Sequence, residues 1–382
     1  MMKSYPDWRF NFHEDWHIIK MKDIISRVSR EVEKPNKPYY KLSVRSHAKG
    51  TFHQYISDPK SVDMENLYVV HKNDLIVNIT FAWEHAIAVA NESDEGLLVS
   101  HRFPTYIIDK ADVNFVKYRV SLKDFKYKLD IISPGGAGRN RVMNQADFNE
   151  IKIKIPCIEE QKKIANCLTH FNKALTAQEK KVTNWREVKN GMLQKIFSRE
   201  FRFKDDNGNE YPDWQEKFIG DICKIQTGSG NTQDKNDDGI YNFYVRSQIV
   251  EKSNKYIFDG EAVLTAGDGV GVGKVYHYFN GKFNCHQRVY YMTDFKNVIG
   301  KYFYYYFLTN FYKRVKKMTA KNSVDSVRMD MISKMPIKFP CLEEQKKIAD
   351  YFSHLDKIIS AESKILESMR EMKKGLLQKL FV

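Results

Sequence analysis

The sequence has few cysteines and no long apolar run. Its five cysteines among 382 residues form no Cys-x-x-Cys pair, so neither a disulfide framework nor a zinc knuckle is indicated, and free thiols are expected. No apolar stretch approaches the roughly 18 residues that a membrane-spanning helix needs, and the first residues lack the apolar core of a secretory signal. We therefore expect a soluble, cytoplasmic protein without a membrane partner.

Signatures of catalysis are also scarce. The metalloprotease pattern HExxH, the esterase pattern GxSxG and the Asn/Asp-Pro-Pro-aromatic signature of amino methyltransferases do not occur. The glycine-rich run at 267–274 lacks the spacing of a phosphate-binding loop, which leaves a turn that lets backbone approach a ligand or another strand. Acid-x-Lys patterns at Asp58 and Glu160 are too short to indicate a nuclease. We expect no catalytic site, no metal and no cofactor on this chain.

Composition and charge favour a folded protein with a polyanionic partner. A hydrophobic share of 42% and an aromatic share of 13% are enough for packed cores, which excludes a disordered chain. Lys and Arg number 62 against 48 Asp and Glu, giving a net charge of +14. Nucleic acid is one such partner, although ribosome-bound and membrane-surface proteins have similar charge.

The chain contains an internal repeat. The segment IPCIEEQKKIA at 155–165 returns as FPCLEEQKKIA at 339–349, and GMLQKIF at 191–197 returns as GLLQKLF at 375–381, both after 184 residues. Upstream, Trp16 matches Trp214. The Tyr-Pro-Asp-Trp segment that ends at Trp8 also resembles the one that ends at Trp214, but its spacing fits less well, so we prefer the Trp16 register.

Between the repeated segments lie two weakly related variable regions. Their short apolar runs, rich in Val, Ile, Tyr and Phe and broken by Gly, Asn and Asp, predict strands with a few helices. We expect an α+β (mixed α/β) fold with a pseudo-twofold repeat. Its predicted parts are globular domains at 1–155 and 199–339 and long helices at 156–198 and 340–382.

Each repeated helix carries an apolar seam at heptad spacing. Eight of ten seam positions are apolar in both copies, which is typical of a coiled coil, although two amphipathic helices that cover the globular domains remain the alternative. Gln178 and Glu362, like Lys189 and Lys373, interrupt the seam at equivalent places, where they could fix the register or lie at solvated edges. The predicted seam and subunit-interface residues are Ile164, Leu168, Phe171, Leu175, Ile348, Phe352, Leu355 and Ile359.

Basic residues accumulate late in each variable region. Nine Lys or Arg oppose two acids at 298–338, and nine oppose four at 113–155. Binding of phosphates is the natural use of such an excess, and a solvated face is the alternative. The aromatic run at 302–307 is most simply a helix that packs its rings in the core.

Side chains that can pair with base edges occupy matched places in the two variable regions. Arg pairs with guanine, and Asn or Gln with adenine, whereas a polar residue that caps a strand end is the alternative for each position. The candidate DNA-binding residues are Arg45, His47, His101, Arg102, Arg139 and Arg141 in the first region, and Arg246, Gln248, Lys274, Gln287, Arg288, Lys321 and Arg328 in the second.

These motifs resemble those of the specificity (S) subunits of Type I restriction-modification systems. The resemblance rests on the Pro-x-x-Glu-Glu-Gln-Lys-Lys-Ile-Ala box, on the heptad helix that ends in Gly-x-Leu-Gln-Lys-x-Phe, and on Tyr-Pro-Asp-Trp at 211–214. It covers nearly the whole chain. Glu160, Gln161, Glu344 and Gln345 are among the residues that carry it.

The resemblance implies a DNA-recognition subunit without catalytic activity. In such a subunit two target-recognition domains dock in the DNA major groove, and an antiparallel coiled coil of the two helices sets their spacing. The subunit would read an asymmetric bipartite site and recruit two methyltransferase subunits, which bring S-adenosylmethionine, and two restriction subunits, which use ATP and Mg²⁺. Inserting four residues after Leu175 is then expected to lengthen the spacer between half-sites.

Two other classes of protein are compatible with parts of the sequence. A repressor with two DNA-binding heads would use the basic surfaces, but it does not explain two long repeated helices, and no helix-turn-helix is evident. A fused restriction and methylation enzyme would need an S-adenosylmethionine motif, which is absent from the sequence.

Overall fold

The computed structural model describes residues 8–135, 141–318 and 326–381. The chain divides into two compact units. Unit 1 contains Met1–Ala177 and Leu366–Val382, and unit 2 contains Gln178–Ile365. Each unit therefore combines one variable region with a stretch of each long helix.

Unit 1 is built from three sheets and short helices. A four-stranded sheet has the order β2-β10-β7-β8, a five-stranded sheet the order β3-β6-β9-β4-β5, and β1 pairs with β11. The strands are β1 His17–Lys20, β2 Ile25–Val28, β3 Glu31–Glu33, β4 Tyr39–Val44, β5 Thr51–Ile56, β6 Asn66–Val69, β7 Leu75–Val77, β8 Ile87–Val89, β9 Leu98–Val99, β10 Thr105–Ile108 and β11 Lys152–Ile155. The helices are α1 Val113–Val120, α2 Lys123–Ile131, α3 Gln145–Glu150 and the start of α4 Ile158–Phe197.

Unit 2 follows the same plan with one larger sheet. Six strands have the order β13-β18-β16-β17-β14-β15, and β12 pairs with β19. Its elements are β12 Gln215–Phe218, α5 Ile219–Ile222, β13 Lys224–Thr227, β14 Tyr241–Tyr244, β15 Val250–Ser253, β16 Phe258–Ala266, β17 Tyr276–Cys285, β18 Val289–Thr293, α6 Gly300–Met318, α7 Met329–Ser333, β19 Pro336–Phe339 and most of α8 Leu342–Phe381. The α+β prediction is confirmed.

The strand pairs beside the long helices support the Trp16 register of the repeat. His17 lies opposite Ile155 in the first pair, and Gln215 lies opposite Phe339 in the second. Trp16 and Trp214 thus precede equivalent strands. Trp16 is buried edge-on against Phe115, whereas Trp214 is partly buried.

The Glu-Glu-Gln box ties the start of each long helix to the rest of its unit. Glu160 is fully buried and accepts two hydrogen bonds from Arg9, at 3.1 and 2.7 Å. Glu344 accepts the same two bonds from Arg202, at 3.2 and 2.6 Å. Charge-assisted, two-point pairing of this kind is strong and directional. It gives the second glutamate of the repeated box a structural role in both units.

The glutamine of the box makes a second, equally repeated set of bonds. The Gln161 side chain donates to the Pro156 carbonyl at 2.9 Å and accepts from the Asp112 N–H at 2.9 Å. Gln345 donates to the Pro340 carbonyl at 2.8 Å and accepts from the Ile299 N–H at 2.8 Å. Each buried amide thus satisfies backbone groups at the strand-to-helix turn and before a helix of the variable region.

The ends of the long helices pack into the cores of the units. In unit 1 the core contains Ile164 and Leu168 of α4 together with Leu380 of α8. In unit 2 it contains Ile196 of α4 with Ile348, Phe352 and Leu355 of α8. The remaining predicted seam residues are half-buried, namely Phe171, Leu175 and Ile359. The seam therefore serves both helix pairing and coverage of the globular parts.

Helices α4 and α8 run antiparallel where they meet in unit 2. Gln178 contacts Glu362, and the later residue Lys189 pairs with the earlier residue Asp356 at 2.5 Å. Residue numbers thus increase along α4 while those of the contacting residues decrease along α8, which shows that the two helices run in opposite directions. Polar residues that interrupt the seam, Gln178 and Glu362, are thus hydrogen-bonded to each other and not left at a solvated edge.

The aromatic run of α6 forms the core of unit 2, as predicted. Tyr302, Phe303 and Phe307 are fully buried, and Tyr305 and Tyr306 nearly so. The hydroxyl of Tyr305 donates to Asp356 at 2.7 Å.

The helices in the described part of the chain include none with the length and apolar character of a membrane span.

Candidate nucleic-acid interface

In each unit two predicted base-reading segments lie at the same edge of a sheet. In unit 1, β4 and β9 pair in parallel, with Lys41 opposite Leu98. The segments 45–47 and 101–102 follow the carboxyl ends of these two strands. In unit 2, β14 and β17 pair in parallel, with Tyr244 opposite Cys285, and the segments 246–248 and 287–288 follow them. Because parallel strands end at a common edge, the fold brings distant sequence motifs together.

In unit 2 an arginine from each segment lies close to the Asp268 carboxylate. Nη1 of Arg246 donates to Oδ1 of Asp268 at 3.0 Å, and Nε of Arg288 lies 3.7 Å from Oδ2 of the same side chain. The Arg246 and Arg288 side chains are 51% and 64% exposed, whereas that of Asp268 is 25% exposed. His286 lies against this cluster, where burial, followed by the charge of Arg246, lowers its pKa. The imidazole is therefore neutral at pH 7.

The glycine-rich run shapes the loop that carries Asp268. A Cβ added at Gly271 would lie 2.2 Å from the Arg246 carbonyl oxygen, and one at Gly267 would lie 2.9 Å from the Arg288 carbonyl oxygen. Both glycines therefore permit close approach of the loop to the two arginine segments. The run is therefore a turn at which backbone packs closely against two other segments.

Backbone bonds hold the same loop on its other side. The Gly267 N–H donates to the Arg288 carbonyl at 2.8 Å, and the Val327 N–H donates to the Gly267 carbonyl at 2.7 Å. Asp268 forms a β-bridge with Ser326. Arg328, 70% exposed, follows directly and lies 3.8 Å from Asp330. The loop thus brings a third predicted arginine segment beside Arg246 and Arg288.

The other predicted residues of unit 2 lie near this cluster in the chain but have fewer contacts. Gln248, Lys274 and Gln287 are exposed. The backbone N–H of Gln287 donates to the Gly230 carbonyl at 2.8 Å, and that of Lys274 to the Gly271 carbonyl at 3.0 Å. Their side chains are available to a ligand. Lys321 lies outside the described residues.

In unit 1 the predicted residues are exposed on two turns. The Arg45 guanidinium donates to the Thr51 carbonyl at 2.8 Å and lies over the Phe52 ring. His101 and Arg102 are exposed. Burial lowers the pKa of Lys41, and the nearby positive charge of Arg102 lowers it further. Lys41 and Arg102 are therefore neighbours in a positively charged region.

Two other predicted residues of unit 1, His47 and Arg141, line a cavity of about 560 Å³. Its lining mixes basic, acidic and aromatic side chains, namely His47, Trp83, Glu84, Lys123, Lys126, Tyr127, Asp130 and Arg141. Arg141 packs over the Trp83 ring and donates to Asp130 at 2.7 Å and to the Ser133 carbonyl at 2.9 Å. Its guanidinium thus has an internal structural role, and a base contact would compete with these bonds. Arg139 lies outside the described residues.

Some of the late basic residues also have internal partners. Arg314 donates to the carbonyls of Met331 and Lys334, both at 2.8 Å, and Lys316 lies over the Tyr312 ring. The ammonium groups of Lys313, Lys316 and Lys317 nevertheless lie on the exposed surface of α6.

Sequence reasoning missed the acidic centre of the cluster. Asp268 stands inside the glycine-rich run, which matches no nucleotide-binding motif. Its only signal in the sequence is an acid among glycines. Among the described residues, no group of three or more His, Cys, Asp or Glu side chains is placed to hold a metal ion.

Comparisons with known proteins identify relatives of this chain. The family model of the Type I restriction modification DNA specificity domain matches residues 13–184 and 211–370. A Methanocaldococcus jannaschii protein, the type I restriction enzyme MjaVIII specificity subunit, is 24% identical over 96% of this chain and 92% of its own. The Escherichia coli type I restriction enzyme EcoDI specificity subunit is 28% identical over 44% of this chain and 36% of its own.

Solved structures share the fold. The S subunit of a Type I restriction-modification system from M. genitalium superposes with a TM-score of 0.67 at 16% identity, covering 99% of both chains. A chain from a study of complex assembly and conformational transition of the type I R-M system superposes with a TM-score of 0.57 at 15% identity, covering 96% of this chain and 97% of that one. At these identities the likeness is one of fold.

Proposed function

This chain belongs to the Type I restriction-modification DNA specificity family, and we propose that it reads an asymmetric bipartite DNA site with one half-site for each unit. It is a DNA-recognition subunit and not an enzyme. Chemistry on the DNA would then come from partner subunits.

One observation carries the proposal of two half-sites. Each unit places exposed side chains after two parallel strands, and at two of the matched places unit 1 has histidine where unit 2 has glutamine. His47 and His101 stand where unit 2 has Gln248 and Gln287, whereas arginines occupy the neighbouring matched places in both units. Equal placement with unequal side chains is what two readers of different base sequences require, because side-chain type determines which base edge is matched.

The proposed partners follow from the family. The chain would bind double-stranded DNA together with two methyltransferase subunits, which supply S-adenosylmethionine, and two restriction subunits, which use ATP and Mg²⁺. Such a complex would work in the cytoplasm, where its DNA lies. The length of the paired helices α4 and α8 would set the number of base pairs between the half-sites, since each helical residue adds about 1.5 Å.

Mapping the methylated bases in the DNA of a host cell tests this function directly. The chain is co-expressed with the methyltransferase subunit of its own system in a host free of DNA methylation, and the DNA is sequenced by a method that detects modified bases. We expect a two-part motif with a fixed non-specific gap, methylated on both strands and dependent on this chain. Binding of DNA without any association with the methyltransferase would instead favour a repressor.

A further inference from the structure

We propose that Asp268 is a positioning residue for base recognition, holding Arg246 and Arg288 as one preformed pair that reads DNA bases in preference to phosphates. The inference rests on the proposed function, since it assigns a task to one carboxylate within the candidate interface of unit 2. It starts from the ion pairs of Asp268 with Arg246 and Arg288.

The arrangement leaves both guanidinium groups able to bind a ligand. A guanidinium has five N–H donors, and Arg246 gives one Nη1–H to Asp268. Arg288 approaches Asp268 through its Nε, at 3.7 Å, which directs the contact to one edge of its guanidinium. Two-point recognition of guanine uses two parallel N–H groups of one arginine. The carboxylate can therefore hold each arginine by one side while another side faces the DNA.

The position of Asp268 is fixed by backbone and not by the arginines alone. The Gly267 and Val327 N–H bonds and the bridge to Ser326 hold the loop on both sides. Gly271 lets the same loop close onto the Arg246 carbonyl. A carboxylate on a fixed backbone restricts the rotamers of the two long side chains it contacts, which lowers the entropy cost of ordering them on DNA.

The charge balance favours bases over phosphates. Two unrestrained arginines would repel each other and would bind any phosphate, a contribution that carries no sequence information. With Asp268 between them the three side chains have a net charge of +1, and the carboxylate repels phosphate oxygens. Sequence-independent attraction is thereby reduced, whereas hydrogen bonding to a correctly placed base edge is retained.

Three variants of the full-length chain, each purified with its methyltransferase subunit, test the inference. Asp268→Asn keeps the shape and removes the charge, Asp268→Glu keeps the charge, and Asp206→Asn makes the same charge change at an exposed ion pair with Lys347. Binding is measured from low to moderate salt on two duplexes. One duplex carries the site that the wild-type complex enriches from a randomised library, and the other carries a scrambled sequence of equal length.

We expect Asp268→Asn to bind scrambled DNA more tightly, to lower the ratio of specific to scrambled affinity roughly tenfold, and to steepen the log–log salt dependence by about 1 to 2. Asp268→Glu should keep most of the ratio, and Asp206→Asn should behave as the wild type does. A wild-type ratio in Asp268→Asn, with or without a lower melting temperature, would overturn the inference, as would an equal change in Asp206→Asn. A wild-type complex that enriches no sequence would overturn the proposed function itself, and with it this inference.

Discussion

The side-chain amide of Gln178 donates to a carboxylate oxygen of Glu362 at 2.7 Å, and the two residues are equivalent positions of the internal repeat, 184 residues apart. The same amide also donates to the Glu362 backbone carbonyl at 3.0 Å. When two similar helices pair antiparallel, equivalent residues face each other only at the midpoint of the pairing. Gln178 and Glu362 therefore mark the centre of the α4–α8 pair.

This midpoint contact predicts a charge effect on stability. The Gln178→Glu variant would place two carboxylates together, so its melting temperature should fall by several degrees at pH 7. It should approach that of the wild type in acid, where the introduced carboxylate takes up a proton and can donate a hydrogen bond to Glu362. The Lys181 side chain, with Gln178, holds the pKa of Glu362 below its usual value, so Glu362 stays charged until low pH. Thermal unfolding between pH 4 and pH 8 measures the effect.

Two controls separate the contact from a general charge effect. Thr176→Glu adds the same charge at an exposed position of α4 and should have little effect. Exchanging the partners, Gln178→Glu with Glu362→Gln, should restore stability because one amide again faces one carboxylate. Equal destabilisation by Thr176→Glu would contradict the role of the midpoint pair.

Breaking the ion pair between Arg202 and the buried Glu344 should lower the free energy of unfolding more than breaking an exposed pair does. Replacing Arg202 with alanine leaves the fully buried Glu344 carboxylate without its two guanidinium bonds, which typically costs about 3 kcal/mol or more. Chemical denaturation of the variant should show this loss in the free energy of unfolding. Lys347→Ala removes an exposed pair with Asp206 and provides a matched control with a much smaller effect.

Arg102 of unit 1 and Arg288 of unit 2 should each contribute to recognition of a different half-site. Arg288→Ala should lower discrimination roughly tenfold at one or more base pairs of one half-site, and Arg102→Ala should do so in the other half-site. Selection from randomised duplexes, with each variant bound to its methyltransferase subunit, measures this. The exposed Lys217→Ala, in strand β12 and distant in sequence from both turns, should leave the motif unchanged. If both arginine variants altered the same half-site, the assignment of one half-site to each unit would be wrong.

The helix pair should determine the spacer of the recognised site. A four-residue insertion after Leu175 alone would also shift the seam contacts, so one heptad is inserted there and a second after Ile365. Seven residues add about 10 Å of helix, or roughly three base pairs of DNA. The methylome of the variant should show a longer gap between two unchanged half-sites. A changed half-site sequence would show that the helices do more than set the spacing.

The cysteines should differ in reactivity. All five are free thiols, and burial raises the pKa of Cys223 and Cys285 to about 12, so their thiolate fraction at pH 8 is about one in ten thousand. Mass spectrometry after alkylation at pH 8 should find the half-buried Cys157 and Cys341 modified first, and Cys223 and Cys285 only after unfolding. Early modification of Cys285 would mean that the carboxyl end of strand β17 opens in the native protein.

Several features of the fold follow from local patterns of residues along the chain. The constant offset of the repeat and the heptad spacing are local periodic patterns, and they predicted two long helices, which the structure places at Ile158–Phe197 and Leu342–Phe381. The aromatic run at 302–307 likewise predicted a buried helix. Such features follow from the chain because helical periodicity is a property of neighbouring residues.

Other features depend on contacts between distant parts of the chain, which no local pattern reveals. The reason for the repeated Glu and Gln, the meeting of Gln178 with Glu362, and the gathering of Arg246 and Arg288 on Asp268 all join residues far apart in the chain. Parallel pairing of β14 with β17 is what brings the two arginine turns to one edge. A sequence pattern shows which side chains are present, but the contacts among them depend on strand order and on loop backbone, which non-local packing fixes.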